Sequence, residues 1–357
     1  MNKVIVIAEA GVNHNGDDEL AFQLVDAAAE AGADVVKFQT FKAESLVTKG
    51  AIKAEYQQQS TSASESQFQM LKRLELSHDM HLKLVEYCNL KKIQFLSTAF
   101  DLDSLDFLVN KLTLKTLKIP SGEITNGPLL LAHAKTNCDL IISTGMATIE
   151  EIKAALGIIA FGMLGYNTPC SRAAFMSAYS SVEGQRIIKK KVTLLHCTTE
   201  YPAPLEDINL KAMGTMTKTF GLDVGYSDHS EGIIVPIAAV ALGAKIIEKH
   251  FTLDNTLPGP DHKASLEPHI LKEMVVAIRA AETALGDGVK CPRPSELANR
   301  NVARKSIVAA NNITKGEIFT KENITIKRPG TGKCPMDYWD ILGSKCEYEY
   351  QSDDIII

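Results

Sequence analysis

The chain has 357 residues, 45% hydrophobic and 23% charged, with a formal net charge of -5. That length suits two units, or one barrel of about 250 residues with an appendage, and the composition is that of a folded globular protein and excludes disorder. No apolar run approaches the ~18 residues that span a bilayer, and the acidic balance leaves no electrostatic footprint for nucleic acid. The expected partners are small molecules and further copies of the chain.

The opening segment, MNKVIVIAEAG, reads as a first strand. Glu9 interrupts its apolar run and no small-residue cleavage site follows, which predicts a cytoplasmic protein. From there, short runs rich in Val and Ile alternate with stretches of helical period. The predicted strands are residues 4–10, 34–41, 93–100, 116–121, 139–145, 192–199, 223–227 and 245–251. Continuous apolar runs of this kind mark parallel strands buried on both faces. Between them, 18–31 carries Leu20, Leu24 and Ala27 at helical spacing, Thr148 and Glu151 form a capping-box pattern, and the last helix is expected near 267–285. Eight β-α pairs fit a (β/α)8 barrel, α/β in class, better than an open sheet, and no GxGxxG follows the first strand.

Two stretches break the rhythm. Residues 42–76, containing EYQQQSTSASESQFQM, form a long polar connection after strand two, on the barrel face where loops carry function. Residues 157–191 follow helix five and read as a peripheral insertion on the opposite face. After residue 285 the composition shifts to Gly and Pro. The predicted domains are a TIM barrel over 1–285, a linker over 286–298 and a small all-β unit over 299–357, with strand candidates at 306–309, 318–319, 324–326 and 355–357. So small a unit buries little core of its own. Seven widely spaced cysteines with no CxxC read as reduced thiols. His78, His81, His133 and His269 fall on predicted helices and are expected at the surface.

In such a barrel the site lies at the C-terminal strand ends. Those ends carry Glu9; Lys37 and Gln39; Ser97 and Thr98; Lys118, Ser121 and Glu123; Ser143 and Thr144; His196, Thr198, Thr199 and Tyr201; Ser227, Asp228 and His229; and Glu248 and His250. Two lysines within a ring of hydroxyls suit a small, multiply charged anion such as a phosphate ester bearing a carboxylate. His229 and His250, on adjacent strands, suit a divalent metal. A strand-end histidine also serves as a hydrogen-bonded structural residue, and this pair lacks the spacing of an HExxH motif. Glu9, a strand-end carboxylate in a closed pocket, is expected to be desolvated and raised in pKa towards neutrality, as a proton carrier.

The strand-end segments IAEAGVNHNG, VVKFQTF, FLSTAFD, KIPSGEITN, ISTGM, LLHCTTEYPAP, VGYSDHS, IIEKHFT and GPDHKASLEP together resemble the sialic acid synthase family, and the C-terminal KRPGTG resembles its antifreeze-like (SAF) domain. The resemblance implies that phosphoenolpyruvate condenses with an open-chain N-acylated mannosamine-type sugar, with addition of water and loss of phosphate by C–O cleavage. It implies a phosphoenolpyruvate pocket of Lys37, Thr98, Lys118, Ser121, Ser143 and Ser227, and a manganese or magnesium ion on His229 and His250, with no organic cofactor. On the sugar side it implies Gln39, Glu123, Tyr201, Asp261 and, from the SAF domain of a partner in a domain-swapped homodimer, Arg328. Glu9 matches the glutamate that handles protons during water addition. Thr199 stands where such synthases commonly carry asparagine, and no PGNA segment occurs in the second βα connection; both features look more like the legionaminic acid synthase branch. Competing expectations are a pseudaminic acid synthase, a phosphoenolpyruvate synthase acting on a phosphorylated aldose, which needs an extra basic pocket, and an ice- or polysaccharide-binding protein.

Overall fold

In the computed structural model, which describes residues 3–61, 65–166 and 168–357, the chain divides into two compact units, Met1–Gly286 and Asp287–Ile357. The first is a closed barrel of eight parallel strands in sequential order: β1 (Ile5–Gly11), β2 (Val35–Thr40), β3 (Gln94–Ala99), β4 (Thr116–Ile119), β5 (Asp139–Ser143), β6 (Val192–His196), β7 (Asp223–Asp228) and β8 (Ile246–His250). β1 closes the ring against β8, with Glu9 paired to His250. Local signals set the crossovers. Asp17 caps helix Asp18–Ala31 by accepting from the Glu19 and Leu20 amides, and Gly32 ends it in the left-handed conformation. Thr148 and Glu151 form the expected reciprocal cap on helix Ile149–Met163.

The barrel bottom is sealed by Ile7, Val35, Leu96, Ile141, Leu195 and Ile246, inward-pointing residues from six different strands. At Gly225 on β7 a Cβ would lie 2.4 Å from the Ile246 carbonyl oxygen and 2.7 Å from Leu195, so this layer closes only with glycine there. Because side chains alternate along a strand, the next inward position lies two residues on. It carries Glu9, Lys37, Thr98, Ser143, Cys197 and Glu248 in turn. An apolar floor thus supports a polar ring directly above it.

Outward-facing positions are mostly apolar and pack on the helices, but Asp228 and Lys249 are charges buried there. Lys249 is fully buried, donating to Asp228 Oδ2 at 2.6 Å and to the Ser230 carbonyl. Lys249→Met should destabilise the barrel by about 3–5 kcal/mol in urea unfolding, because it strands the buried Asp228 carboxylate. A loss within experimental error would contradict this.

Several expectations need correction. The 157–191 stretch is no insertion at its start: helix Ile149–Met163 runs through it, since Ile159, Ala160 and Phe161 continue its buried face. Helices Arg172–Ser180 and Val182–Lys191 follow, with Phe175 against Phe161 at 5.1 Å. The second βα connection holds helices Ala43–Leu46, Glu55–Ser60 and Gln67–Arg73. Residues 62–64 of that connection and residue 167 lie outside the described residues. His81 and His133 are buried, not at the surface, because each ring satisfies Nδ1 on the carbonyl one turn earlier, Ser77 and Leu129 respectively. His78 and His269 are exposed.

The second unit pairs β9 (Ser306–Ala309) antiparallel with β10 (Ile324–Lys327) over its own core of Ile307, Ile313, Phe319, Ile324, Ile341 and Tyr350. Single bridges join Val308 to Ile355, Ile313 to Tyr350 and Ile318 to Lys345. The unit is not all-β. Helix Pro294–Ala303, opened by proline at its first position, begins within the expected linker and runs on into the expected all-β unit, and Tyr338–Ile341 forms a short helix. All seven cysteines are free. Among the described residues no helix is long and apolar enough to cross a membrane.

Candidate active site

The polar ring and the layer above it enclose a cavity of about 230 Å³ at the C-terminal end of the barrel. Glu9, Lys37, Gln39, Thr98, Lys118, Ser121, Ser143, Tyr201, Ser227, His229, His250 and Asp261 all line it. Most sit where strand alternation or the first turn of a βα loop aims them inward, whereas Tyr201 and Asp261 come from further along the loops after β6 and β8. Glu123 does not line the cavity: it stands half-buried on the turn Ser121–Glu123, accepting from Asn126 Nδ2 at 2.6 Å. Arg328 belongs to the second unit, where its Nε donates to the Ala303 carbonyl at 3.0 Å.

The base of the cavity is an ionic square. Lys37 Nζ lies 2.8 Å from Glu9 and 3.5 Å from Glu248, and Lys118 Nζ lies 3.0 Å from Glu248. Glu248 also accepts from Ser227 Oγ at 2.8 Å, and Lys37 donates to Thr98 Oγ1 at 3.1 Å. All four charges are buried, so each pKa follows from who shares whose counter-ion. Burial opposes ionisation of Glu248, but Lys118 and Lys37 together hold its pKa well below the usual range. For Glu9, burial outweighs the pull of Lys37 and the weaker pull of Lys118, Glu248 adds repulsion, and the pKa rises to about 7. Burial also disfavours charge on the lysines. For Lys37 the two carboxylates overcome it and raise the pKa, whereas burial, assisted by the neighbouring Lys37 charge, lowers that of Lys118.

Above the square, the rings of His229 and His250 lie 5.6 Å apart. His229 Nδ1 donates to the Thr198 carbonyl at 2.6 Å, which leaves the Nε2 lone pair facing the cavity, 3.2 Å from the Tyr201 hydroxyl. His250 Nδ1 is buried without a partner. Burial lowers His229 to about 4, and burial together with His229 lowers His250 well below its ordinary value. Both are therefore neutral imidazoles, the form that binds metals. The pair fits a divalent cation: one ring is fixed by a carbonyl behind it, and the other carries an orphaned nitrogen. Among the described residues no group of three or more His, Cys, Asp or Glu side chains could hold a metal, so water or substrate oxygens would complete the shell.

The hydroxyls are differently poised. Ser143 Oγ is buried and unpartnered, free for a ligand oxygen. Ser121 Oγ accepts from the Gly145 amide at 3.0 Å and lies 3.1 Å from Cys197 Sγ. Burial pushes Asp261 up to about 6.

Two features escaped the sequence reading. Glu248 appeared only as a strand-end residue, although its place two residues before His250 on β8 puts it on the same inward face. Asn13, in the VNHNG segment, ties β1 to the loop bearing Asp261: its Nδ2 donates to the Phe251 carbonyl at 2.7 Å and to Ser265 Oγ at 2.9 Å, and Ser265 donates to the Asp261 carbonyl at 2.6 Å.

A model of the NeuB family matches residues 24–290, and one of the SAF domain matches residues 304–356. The chain is 49% identical to N,N'-diacetyllegionaminic acid synthase of Campylobacter jejuni across 100% of its own length and 99% of that protein's. It is 48% identical to the synthase of the same name from Legionella pneumophila, covering 95% of this chain and 89% of the relative. Among solved structures, N-acetylneuraminic acid (sialic acid) synthetase from Leptospira borgpetersenii matches with a TM-score of 0.67 at 34% identity, over 84% of this chain and 90% of that one. With the family model spanning the strand-end residues from β2 to β8 and full-length relatives at nearly half identity, the chain belongs to the NeuB family.

Proposed function

We propose that the protein is a nonulosonic acid synthase that joins phosphoenolpyruvate to an open-chain N-acylated mannosamine-type sugar. The carrying observation is the buried pair of lysines beneath two neutral histidines in one cavity. C3 of phosphoenolpyruvate forms a C–C bond to the sugar aldehyde carbon, whose oxygen becomes a hydroxyl. Water adds at C2, and the C2–O bond to phosphate breaks as the ketone forms.

Lys37 and Lys118 bind the substrate's carboxylate and phosphate and stabilise the charge that shifts as the tetrahedral carbon appears. Thr98, Ser121, Ser143 and Ser227 orient its oxygens, with Ser143 already unpartnered. A manganese or magnesium ion on His229 and His250 would supply Lewis-acid polarisation of the aldehyde oxygen. Glu9 takes the proton from the added water. Gln39, Tyr201 and Asp261 serve the sugar hydroxyls. The proposal extends to a domain-swapped homodimer in which Arg328 of one protomer serves the partner's sugar, with Glu123 also assigned to the sugar side on the resemblance alone.

Among the described lining residues, Lys37 and Lys118 are the only lysines, there is no arginine, and both lysines are already assigned to phosphoenolpyruvate. A phosphate on the acceptor would then find no further cation on this chain's own lining, so an unphosphorylated acceptor fits better. The test is phosphate release from phosphoenolpyruvate with manganese, comparing 2,4-diacetamido-2,4,6-trideoxymannose with N-acetylmannosamine and weighing the product by mass spectrometry. Faster turnover of the diacetamido sugar is expected. Phosphate release with neither sugar would overturn the proposal, and faster turnover of N-acetylmannosamine would reassign the acceptor.

A further inference from the structure

The cavity has two unlike halves. Besides the ionic groups, the lining includes an apolar wall of Val12, Met70, Leu71, Leu74 and Phe100. Val12, Met70 and Leu74, with Phe41, form a small hydrophobic cluster separate from the main barrel core, and Leu71 and Phe100 pack on it while remaining half-buried. Those two side chains are thus the ones with apolar surface left for a ligand to cover.

The wall is held in place from several sides. Helix Gln67–Arg73, which carries Met70 and Leu71, is opened by a reciprocal cap between Ser66 and Gln69. Gly16 approaches its end so closely that a Cβ would lie 2.5 Å from the Arg73 carbonyl oxygen. Lys72 bridges to Glu44 at 2.9 Å and to Glu75 at 3.2 Å, tying the helix to Ala43–Leu46. Phe41 meets the Phe100 ring edge-on at 6.0 Å. These contacts shape the wall before any ligand is bound, and a preformed surface costs less to bind against.

We infer that Leu71 and Phe100 are specificity-determining residues that receive a methyl-bearing substituent of the acceptor, an acyl methyl or a deoxy carbon, where a hydroxyl would be left dry. This rests on the synthase reading and deepens it: the polar half handles phosphoenolpyruvate and the sugar hydroxyls common to all acceptors, and the wall selects the acceptor's apolar decoration. A single methyl group in an apolar pocket is worth about 10–200-fold in kcat/KM, and a sugar with hydroxyls at those positions forgoes it.

The experiment measures kcat/KM of the full-length protein for the diacetamido trideoxy sugar and for N-acetylmannosamine, at saturating phosphoenolpyruvate, in Leu71→Asn and Leu71→Met. Leu71→Asn should lower the ratio of the two values, diacetamido over monoacetamido, by about 10–100-fold, while Leu71→Met holds it within about threefold. Equal losses for both sugars, or an unchanged ratio in Leu71→Asn, overturn the inference and leave the synthase reading intact. No turnover of either sugar by the unaltered protein would sink the synthase reading itself. If Leu71→Asn does not fold by circular dichroism, Phe100→Leu decides: it removes the ring face and keeps an apolar residue. A fall in the ratio of about threefold or more supports the wall, and none overturns it.

Discussion

His250→Ala is expected to lower kcat/KM by about 10³-fold or more, the scale of removing several kcal/mol of charge stabilisation from the transition state. The variant should remain folded, because His250 Nδ1 makes no hydrogen bond and its truncation breaks none there. The distinguishing readout is manganese binding without substrates, followed by electron paramagnetic resonance: it should fall together with turnover. His229→Ala should behave alike, with an added structural cost, since His229 Nδ1 holds the Thr198 carbonyl at 2.6 Å. Retained manganese binding with lost activity would make the histidines general positioning groups. Full activity in either variant would remove them from the site.

Strand alternation explains why so much of this site was readable. The barrel strands are buried on both faces, so each appears as an apolar run, and a polar residue inside such a run has few places to go except the cavity. Glu9, Lys37, Thr98 and Ser143 stand out in this way, each two residues beyond a member of the apolar floor. The same rule fails where a buried charge faces outward. Lys249 lies between Glu248 and His250 in IIEKH and looks like a third cavity residue, yet alternation turns it away to meet Asp228.

What sequence could not show was partnership. Which carboxylate holds which lysine depends on distances across the barrel, so the hold of Glu248 on both cations follows only from ring closure between β8 and β1. A histidine on a helix is usually wet, yet His81 and His133 are buried; each avoids the cost of burial by using its own helix's carbonyl. Glu123 falls outside the cavity for a local reason, as the turn after β4 directs its carboxylate to Asn126. The linker expectation failed because Pro and Gly mark both loops and helix starts, and Pro294 is the latter.

Glu9→Gln should reduce kcat by about 10²- to 10⁴-fold, the range for loss of a positioned proton carrier, with a smaller change in KM for phosphoenolpyruvate. The sign of the pH dependence follows from its raised pKa. Glu9 must be deprotonated to accept a proton from water, so with a pKa of about 7 the fraction of active enzyme grows as pH rises from 6 through 8. The acid limb of kcat/KM should therefore be centred near 7, where an ordinary carboxylate would place it near 4. Substrate binding acts in the same direction: once the anion engages Lys37, the 2.8 Å ion pair is shared and Glu9 loses part of its nearest cation, becoming a stronger base as the water arrives. Hence the limb in kcat, which reports the bound complex, should lie above the limb in kcat/KM. Glutamine keeps the contact with Gln39 but cannot titrate, so the limb near 7 should vanish with the rate. A Glu9→Gln variant that keeps this limb would assign it to another group, and one that keeps the rate would show that water is deprotonated elsewhere.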